Sequence, residues 1–198
     1  FLCVLGCYAC SSPKTEVQSP DGHIKMTLTV DENGKPFYNV SVDDSLLIEN
    51  SAMGFTAANG IILGEGFQVK NTTFSSEDET WTQPWGENKK NRNHYNEMAV
   101  NLTNEDHVQL TLRFRVFDDG IGFRYEYTVP TVDSLLITDE LTTFRFHRDG
   151  TSWSIPASAE TYELLYQQQP ISEVETANTP FTFKTADGVY GSIHEAAL

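Results

Sequence analysis

The sequence predicts an all-β chain, a sandwich or barrel of short strands. Three observations predict it. Apolar residues recur at period two through most of the body. Turn signals rich in Asp, Asn and Gly separate those runs at even spacing. No stretch of ten or more residues carries a helical apolar stripe. Many short strands with regular turns close into two packed sheets or a barrel.

The elements follow in order. Ile24, Met26, Leu28 and Val30 alternate with Lys25, Thr27 and Thr29, the pattern of a half-buried strand. Asp31-Glu32-Asn33-Gly34-Lys35-Pro36 is a turn, with Asn-Gly tolerating positive φ. Tyr38, Val40 and Val42 form the returning strand, and residues 46–48 a short third. Met98, Val100 and Leu102 alternate next. The clearest hairpin sets Val108, Leu110, Leu112, Phe114 and Val116 against Ile121, Phe123, Tyr125, Tyr127 and Val129 across Asp118-Asp119-Gly120. Its outer face carries Arg113, Arg115, Arg124 and Glu126, so cross-strand ion pairs are expected there. Further strands are expected at 141–146, 153–155, 162–166, 181–184 and 189–193, with Gln167-Gln168-Gln169-Pro170 as a low-complexity linker.

The chain has 198 residues and 22.2 kDa, the size of one domain. Thirteen basic residues against 28 acidic ones give a net charge of −15. That balance argues against nucleic acid, whose phosphates need clustered Lys and Arg, and against anionic membrane surfaces. It suits a neutral or cationic partner such as a sugar or a metal ion. No apolar run reaches the about 18 residues of a membrane-spanning helix.

All three cysteines, Cys3, Cys7 and Cys10, fall in the first ten residues, so the body has neither disulfides nor a thiolate metal site. Residues 1–18 read as a signal-peptide remnant and linker, apolar to Cys10 and polar from Ser11. Val4-Leu5-Gly6-Cys7 loosely resembles a bacterial lipobox, which would make Cys7 a lipid-anchored N-terminus. A periplasmic or secreted location is expected on either account. The spacing Cys3-x3-Cys7-x2-Cys10 matches radical iron–sulfur enzymes, but the glycine-rich partner motif is missing from this sequence. The first residue is Phe rather than Met, and residues 189–198 look like a strand running onward, so a fragment of a longer protein is expected.

The segment from Glu79 to Glu97 is unlike its surroundings. It gathers Trp81, Trp85, Glu87, Arg92, Asn93, His94 and Tyr95 into what reads as a polar, aromatic-rich loop. Trp and Tyr faces stack on sugar C–H surfaces, and Asn, Arg and Glu suit sugar hydroxyls. The same composition also describes a loop whose Trp residues merely anchor it to a sheet. His194-Glu195 is the second candidate. Glu oxygens suit calcium, but that ion takes six to eight oxygens, and a surface carboxylate is the simpler account. No histidine pair has metal-ligand spacing. Asp118-Asp119 and Glu77-Asp78-Glu79 read as turn and surface charge. Sequons at Asn39, Asn71 and Asn101 matter only in a eukaryotic secretory route.

Five stretches taken together resemble glycoside hydrolase family 97. They are Ser19-Pro20-Asp21-Gly22; Glu79-Thr80-Trp81 with Trp85-Gly86-Glu87; Arg92-Asn93-His94-Tyr95-Asn96-Glu97; Phe114 to Glu126; and Lys184-Thr185-Ala186-Asp187-Gly188 with Ile193-His194-Glu195-Ala196-Ala197-Leu198. The likeness covers residues 19–198, in order, and is to the family's N-terminal domain. It implies a β-super-sandwich similar to galactose-mutarotase-like folds, packed on a (β/α)8 barrel that carries the catalytic acid and base. The family comprises α-glucosidases and α-galactosidases, so an α-linked oligosaccharide is the implied substrate. In calcium-dependent members one N-terminal-domain Glu joins barrel carboxylates around the ion, and Glu195 is the matching residue. Trp85, Glu87, Arg92, Asn93, His94, Tyr95 and His194 are the implied substrate-binding or cleft-facing residues.

The departures matter. The chain stops at its His-Glu-Ala-Ala-Leu motif, so no catalytic residue is assigned and the carboxylate pair of glycoside hydrolysis would lie elsewhere. The regions 59–67 and after Glu173 look short for the family. Rival readings are a free-standing carbohydrate-binding module, a purely structural domain, and a mutarotase-like epimerase that would need His94 or His194 beside a carboxylate.

Overall fold

The computed structural model describes residues 14–130 and 132–195. The cysteines, the lipobox-like segment and Ala196 to Leu198 lie outside the described residues. The chain divides into two compact units, Phe1–Arg145 and Phe146–Leu198.

The first unit opens with an antiparallel meander of β1 (Glu16–Gln18), β2 (Ile24–Val30), β3 (Pro36–Val42) and β4 (Ser45–Ala52), adjacent in that order. The Asp31 turn joins β2 to β3 as expected. Asp31 Oδ1 accepts the amides of Asn33 and Lys35 at 2.9 and 2.8 Å, and Gly34 sits at φ 74°. After β5 (Phe55–Ala57) comes a second meander of β6 (Gln68–Thr82), β7 (Lys90–Thr103), β8 (Gln109–Phe117) and β9 (Gly120–Thr128). Then β10 (Ile137–Glu140) returns to pair with β5.

The alternating residues read from the sequence form the core. Met26, Leu28, Tyr38 and Val40 from one sheet and Met98, Val100, Leu110, Leu112, Phe114 and Val116 from the other are buried. The Tyr38 and Phe123 rings meet across the two sheets at 5.6 Å. Each such large apolar side chain contributes about 2 kcal/mol of burial.

The strand expected at 141–146 does not form; residues 141–145 instead run beside β4 and the residues just after it. Side-chain oxygens replace part of the ladder: Thr143 Oγ1 accepts the Ala52 amide and Ser51 Oγ the Arg145 amide, both at 2.8 Å. The Tyr38 hydroxyl takes the Thr143 carbonyl at 2.8 Å.

The second unit is one antiparallel sheet of β11 (Gly150–Ser154), β12 (Gln167–Pro170), β13 (Phe181–Thr185) and β14 (Tyr190–Ile193), in the spatial order β12-β11-β13-β14. Phe146 packs edge-on against Phe183 at 4.6 Å. Two expectations are corrected here. Residues 162–166 are not a strand, and the supposed linker Gln167–Pro170 is one. An edge strand needs only main-chain partners, so polar Gln residues can supply it. The Ser152 hydroxyl donates to the Gln169 carbonyl at 3.0 Å and helps hold that edge. Among the described residues there is no α-helix, and no helix is long and apolar enough to cross a membrane.

Candidate functional site

The stretch from Glu79 to Glu97 is not a loop. β6 and β7 pair from Gln68↔Thr103 to Thr82↔Lys90, whereas β8 accompanies β7 only as far as Tyr95↔Phe117. The outer ends of β6 and β7 therefore project as a two-stranded ribbon beyond the four-stranded sheet. Residues 83–89 close it, with Gln83 Nε2 donating to the Asn88 carbonyl at 2.8 Å and Gly86 at φ 133°. Apart from Trp81 the ribbon's paired side chains are polar, so no apolar alternation announced it.

Strand alternation sorts the candidates onto opposite faces. Arg92 and His94 share one face with Asp78; Asn93 and Tyr95 share the other with Glu79. Arg92 grips Asp78 with both ends of its guanidinium, Nε to Oδ1 at 2.6 Å and Nη2 to Oδ2 at 2.7 Å. That hydrogen bonding holds the Asp78 carboxyl below the usual carboxylate range. Asn93 Nδ2 donates to Glu79 Oε1 at 3.1 Å. Trp85 and Glu87 lie in the closing turn, and Trp85 is 85% exposed.

Tyr95 is buried within this chain. Its ring lies 5.3 Å from Phe117, with the Arg115 guanidinium 4.5 Å above it. His94 turns inward too. Its Nδ1 is buried and stands 3.4 Å from Asp118 Oδ2, an ion-pair separation without hydrogen-bond alignment. Asp118 Oδ1 accepts the Asp21 amide at 3.0 Å. Three stretches far apart in sequence therefore meet at one end of the first unit: Ser19-Pro20-Asp21-Gly22, the ribbon base and the β8–β9 turn. The His94–Asp118 pair satisfies the epimerase's requirement for a neighbouring carboxylate. It bridges strands, however, and its facing nitrogen is closed to solvent.

The expected ion pairs on the outer face of β8 and β9 are present: Glu126 pairs with Arg113 at 2.9 Å and with Arg124 at 2.7 Å. The sequence reading missed Glu97 as their hub. Glu97 on β7 bonds Arg113 Nη1 at 2.5 Å and Arg115 Nε at 2.7 Å. It also missed Asp78, Glu79, Asp118 and Asp21 as partners of the candidates. Once β6 and β7 are paired, their register offers Asp78 and Glu79 directly.

In the second unit His194 and Glu195 follow β14, and both are exposed. Among the described residues no three His, Cys, Asp or Glu side chains are grouped to hold a metal ion. Glu195 is a hard-oxygen donor of the right kind for calcium. One carboxylate supplies at most two of the about six to eight oxygens that ion takes, so Glu195 alone would fill only a share of such a site.

A family model described as Glycosyl-hydrolase 97 N-terminal matches residues 17–198. A retaining alpha-galactosidase of Bacteroides thetaiotaomicron is 29% identical over 126 residues, 63% of this chain and 18% of that protein. A glycoside hydrolase family 97 enzyme from Pseudoalteromonas sp. strain K8, solved with panose and also with acarbose, superposes with a TM-score of 0.84 at 38% identity. The match covers 93% of this chain and 28% of that one. A beta-arabinopyranosidase shares the fold at 23% identity, with a TM-score of 0.81 over 93% of this chain and 32% of its own. The chain thus spans less than a third of the relatives it matches.

Proposed function

Because the chain belongs to the glycosyl hydrolase 97 N-terminal family, we propose that it is the supporting, carbohydrate-facing domain of an α-glycosidase. The observation that carries this reading is the pairing of two coverages: the likeness takes in 93% of this chain but 28% of a whole family 97 enzyme. The catalytic acid and base would then belong to a (β/α)8 barrel on which residues 19–198 pack. An α-linked oligosaccharide is the substrate class, in keeping with the panose and acarbose complexes and the alpha-galactosidase relative.

Within this proposal Glu195 donates carboxylate oxygen to an active-site calcium whose other donors come from the barrel. Such an ion, when bound, supplies positive charge that positions and polarises the glycosidic region. His194 sits beside that donor in sequence. On the first unit, Trp85 offers a stacking face, while Glu87 and Asn93 offer hydroxyl partners at the ribbon. Arg92 ties the ribbon's two strands together through Asp78, and His94 stands at the ribbon's base beside Asp118. The setting we propose is periplasmic or secreted, with Cys7 as a lipid anchor if the leader is processed as a lipoprotein.

Two assays test this. The 198-residue chain should release no nitrophenol from nitrophenyl α-glucoside or α-galactoside, and turnover above blank would overturn the assignment of chemistry to a barrel. In the longer polypeptide, Glu195→Gln should weaken calcium activation by tenfold or more, as loss of a carboxylate ligand would. An unchanged calcium response removes Glu195 from the ion.

A further inference from the structure

The second unit is short of interior. Its strands run four or five residues, and among its described residues the buried side chains are Ser152, Ser154, Phe183 and Thr185. A lone sheet this small does not bury enough apolar surface to offset its ordering entropy, so one face requires a cover. The same unit also displays several large side chains with apolar bodies. Tyr162, Leu164, Leu165 and Tyr166, in the irregular segment between β11 and β12, are exposed, as is Tyr190 on the edge strand β14. Leu165 is 90% exposed. Glu163 is the lone charge between Thr161 and Tyr166. Apolar display of this extent marks an interaction surface rather than scatter.

We propose that the strip 162–166, together with Tyr190, is the seat on which the catalytic domain of the longer polypeptide rests. The inference depends on the function proposed above and adds where the contact lies. The occupant follows from two observations. Nearly three quarters of the solved family 97 chain lies outside the region matched here, which provides a large covering body. The strip also has the wrong chemistry for a sugar, since Leu164 and Leu165 offer hydroxyls nothing. It suits an apolar protein patch instead.

Hydroxyl-radical footprinting read by peptide mass spectrometry tests the seat. The 198-residue chain and the longer polypeptide are compared, each with an added reference peptide and an α-glycosidase assay. Tyr162, Leu165, Tyr166 and Tyr190 should oxidise freely in the shorter chain and at least tenfold more slowly in the longer one. Equal oxidation in an active longer polypeptide overturns the seat while leaving the parent function standing. Protection in an inactive one supports the seat and overturns the hydrolase reading. Protection already present in the shorter chain also overturns the seat, because the cover then lies within residues 1–198. Leu165→Glu gives an independent reading. It should leave the melting temperature of the shorter chain unchanged and lower that of this region in the longer one, and no change in either overturns the proposal.

Discussion

Glu97 Oε1 accepts from Arg113 Nη1 at 2.5 Å on a sheet face from which the carboxylate is nine-tenths withdrawn from water. The second oxygen takes Arg115 Nε at 2.7 Å, so one side chain on β7 ties two positions on β8. Burial pushes this carboxyl up, but the bonds from Arg115 and Arg113 outweigh it and hold it below its ordinary range. Glu97→Ala leaves two guanidiniums facing each other over an emptied site. We expect a loss of about 2 kcal/mol in chemical denaturation, and roughly half of that for Glu97→Gln, which keeps the shape and loses the charge. Equal, negligible losses would show that the arginines are satisfied by water.

The same network sets an acid limit. The Arg113 bond pulls the Glu126 carboxyl down to about 2 from 4.5, with Arg124 adding to it. A depressed folded value means a contribution fully present above the unfolded pKa and lost as pH falls through the folded one. Stability should therefore drop between about pH 4.5 and 2. In urea titrations across that window, Glu126→Gln should be less stable than the parent chain at pH 6 and converge with it near pH 2. Parallel curves would remove Glu126 from the acid response.

How much of this was legible depended on where the apolar residues fall. β2, β3, β8 and β9 could be read because one face of each packs into the core, so period-two alternation is written into the sequence. β6 and the outer half of β7 could not. Ser75 to Thr80 alternates polar with polar, Trp81 stands half-exposed, and the ribbon is held by pairs such as Arg92–Asp78 rather than by burial. Gln167–Pro170 was obscured for the same reason, as an edge strand with nothing apolar to bury. Residues 162–166 misled in the opposite direction: β-prone, apolar and exposed, they carry a strand's composition without a strand's partners. The candidates were found by residue type, but their division between two faces, and the burial of Tyr95 and His94, needed the register.

At the far side of the β1–β2 loop, His23 Nδ1 pairs with the Asp43 carboxylate, and its backbone amide donates to Asp21 Oδ1 at 3.0 Å. The Asp43 hydrogen bond raises the imidazole above its ordinary value of 6.5. A raised folded value gives a contribution present below 6.5 and lost as pH rises through the folded value. His23 should titrate above a model histidine by NMR, and Asp43→Asn should bring it back. Both groups are largely exposed, so the stability effect should be small and should fade in high salt. An unshifted titration in both chains would mean the pair does not persist in solution.

Gly34 is where the first hairpin docks on the entry to β6. Its φ is 74°, and a methyl there would stand 2.3 Å from the Phe67 amide nitrogen. The Gly34 carbonyl accepts that amide at 3.0 Å, and the Gly66 amide donates to the Asn33 carbonyl at 2.9 Å. Both backbone sign and space exclude a side chain. Gly34→Ala should cost about 2 kcal/mol or more. Gly22, at φ 82° with nothing within 4 Å of an added methyl, is the control. Its alanine variant carries the conformational cost alone, about 1 kcal/mol. Equal losses at the two sites would mean the close contact at Gly34 relaxes freely.

Trp85 separates the two carbohydrate readings. Its indole is almost wholly in water at the ribbon's closing turn, so burial in this chain cannot be what it contributes. Trp85→Ala should leave stability within about 0.5 kcal/mol of the parent chain. If the ribbon is a sugar platform in its own right, calorimetric titration of the 198-residue chain with maltose or melibiose gives binding, and the variant loses about 1 kcal/mol, roughly fivefold in Kd. If the platform is completed only by a catalytic domain, the chain alone gives no heat. The loss then appears as a raised KM in the longer polypeptide, with kcat little changed, because a stacking face distant from the reacting bond binds ground state and transition state alike. We expect the second pattern. Of the polar side chains beside such a platform, Arg92 commits Nε and Nη2 to Asp78, and His94 turns its Nδ1 inward beside Asp118, closed to solvent. What is left at the tip is an aromatic face without enough convergent donors to hold a sugar unaided.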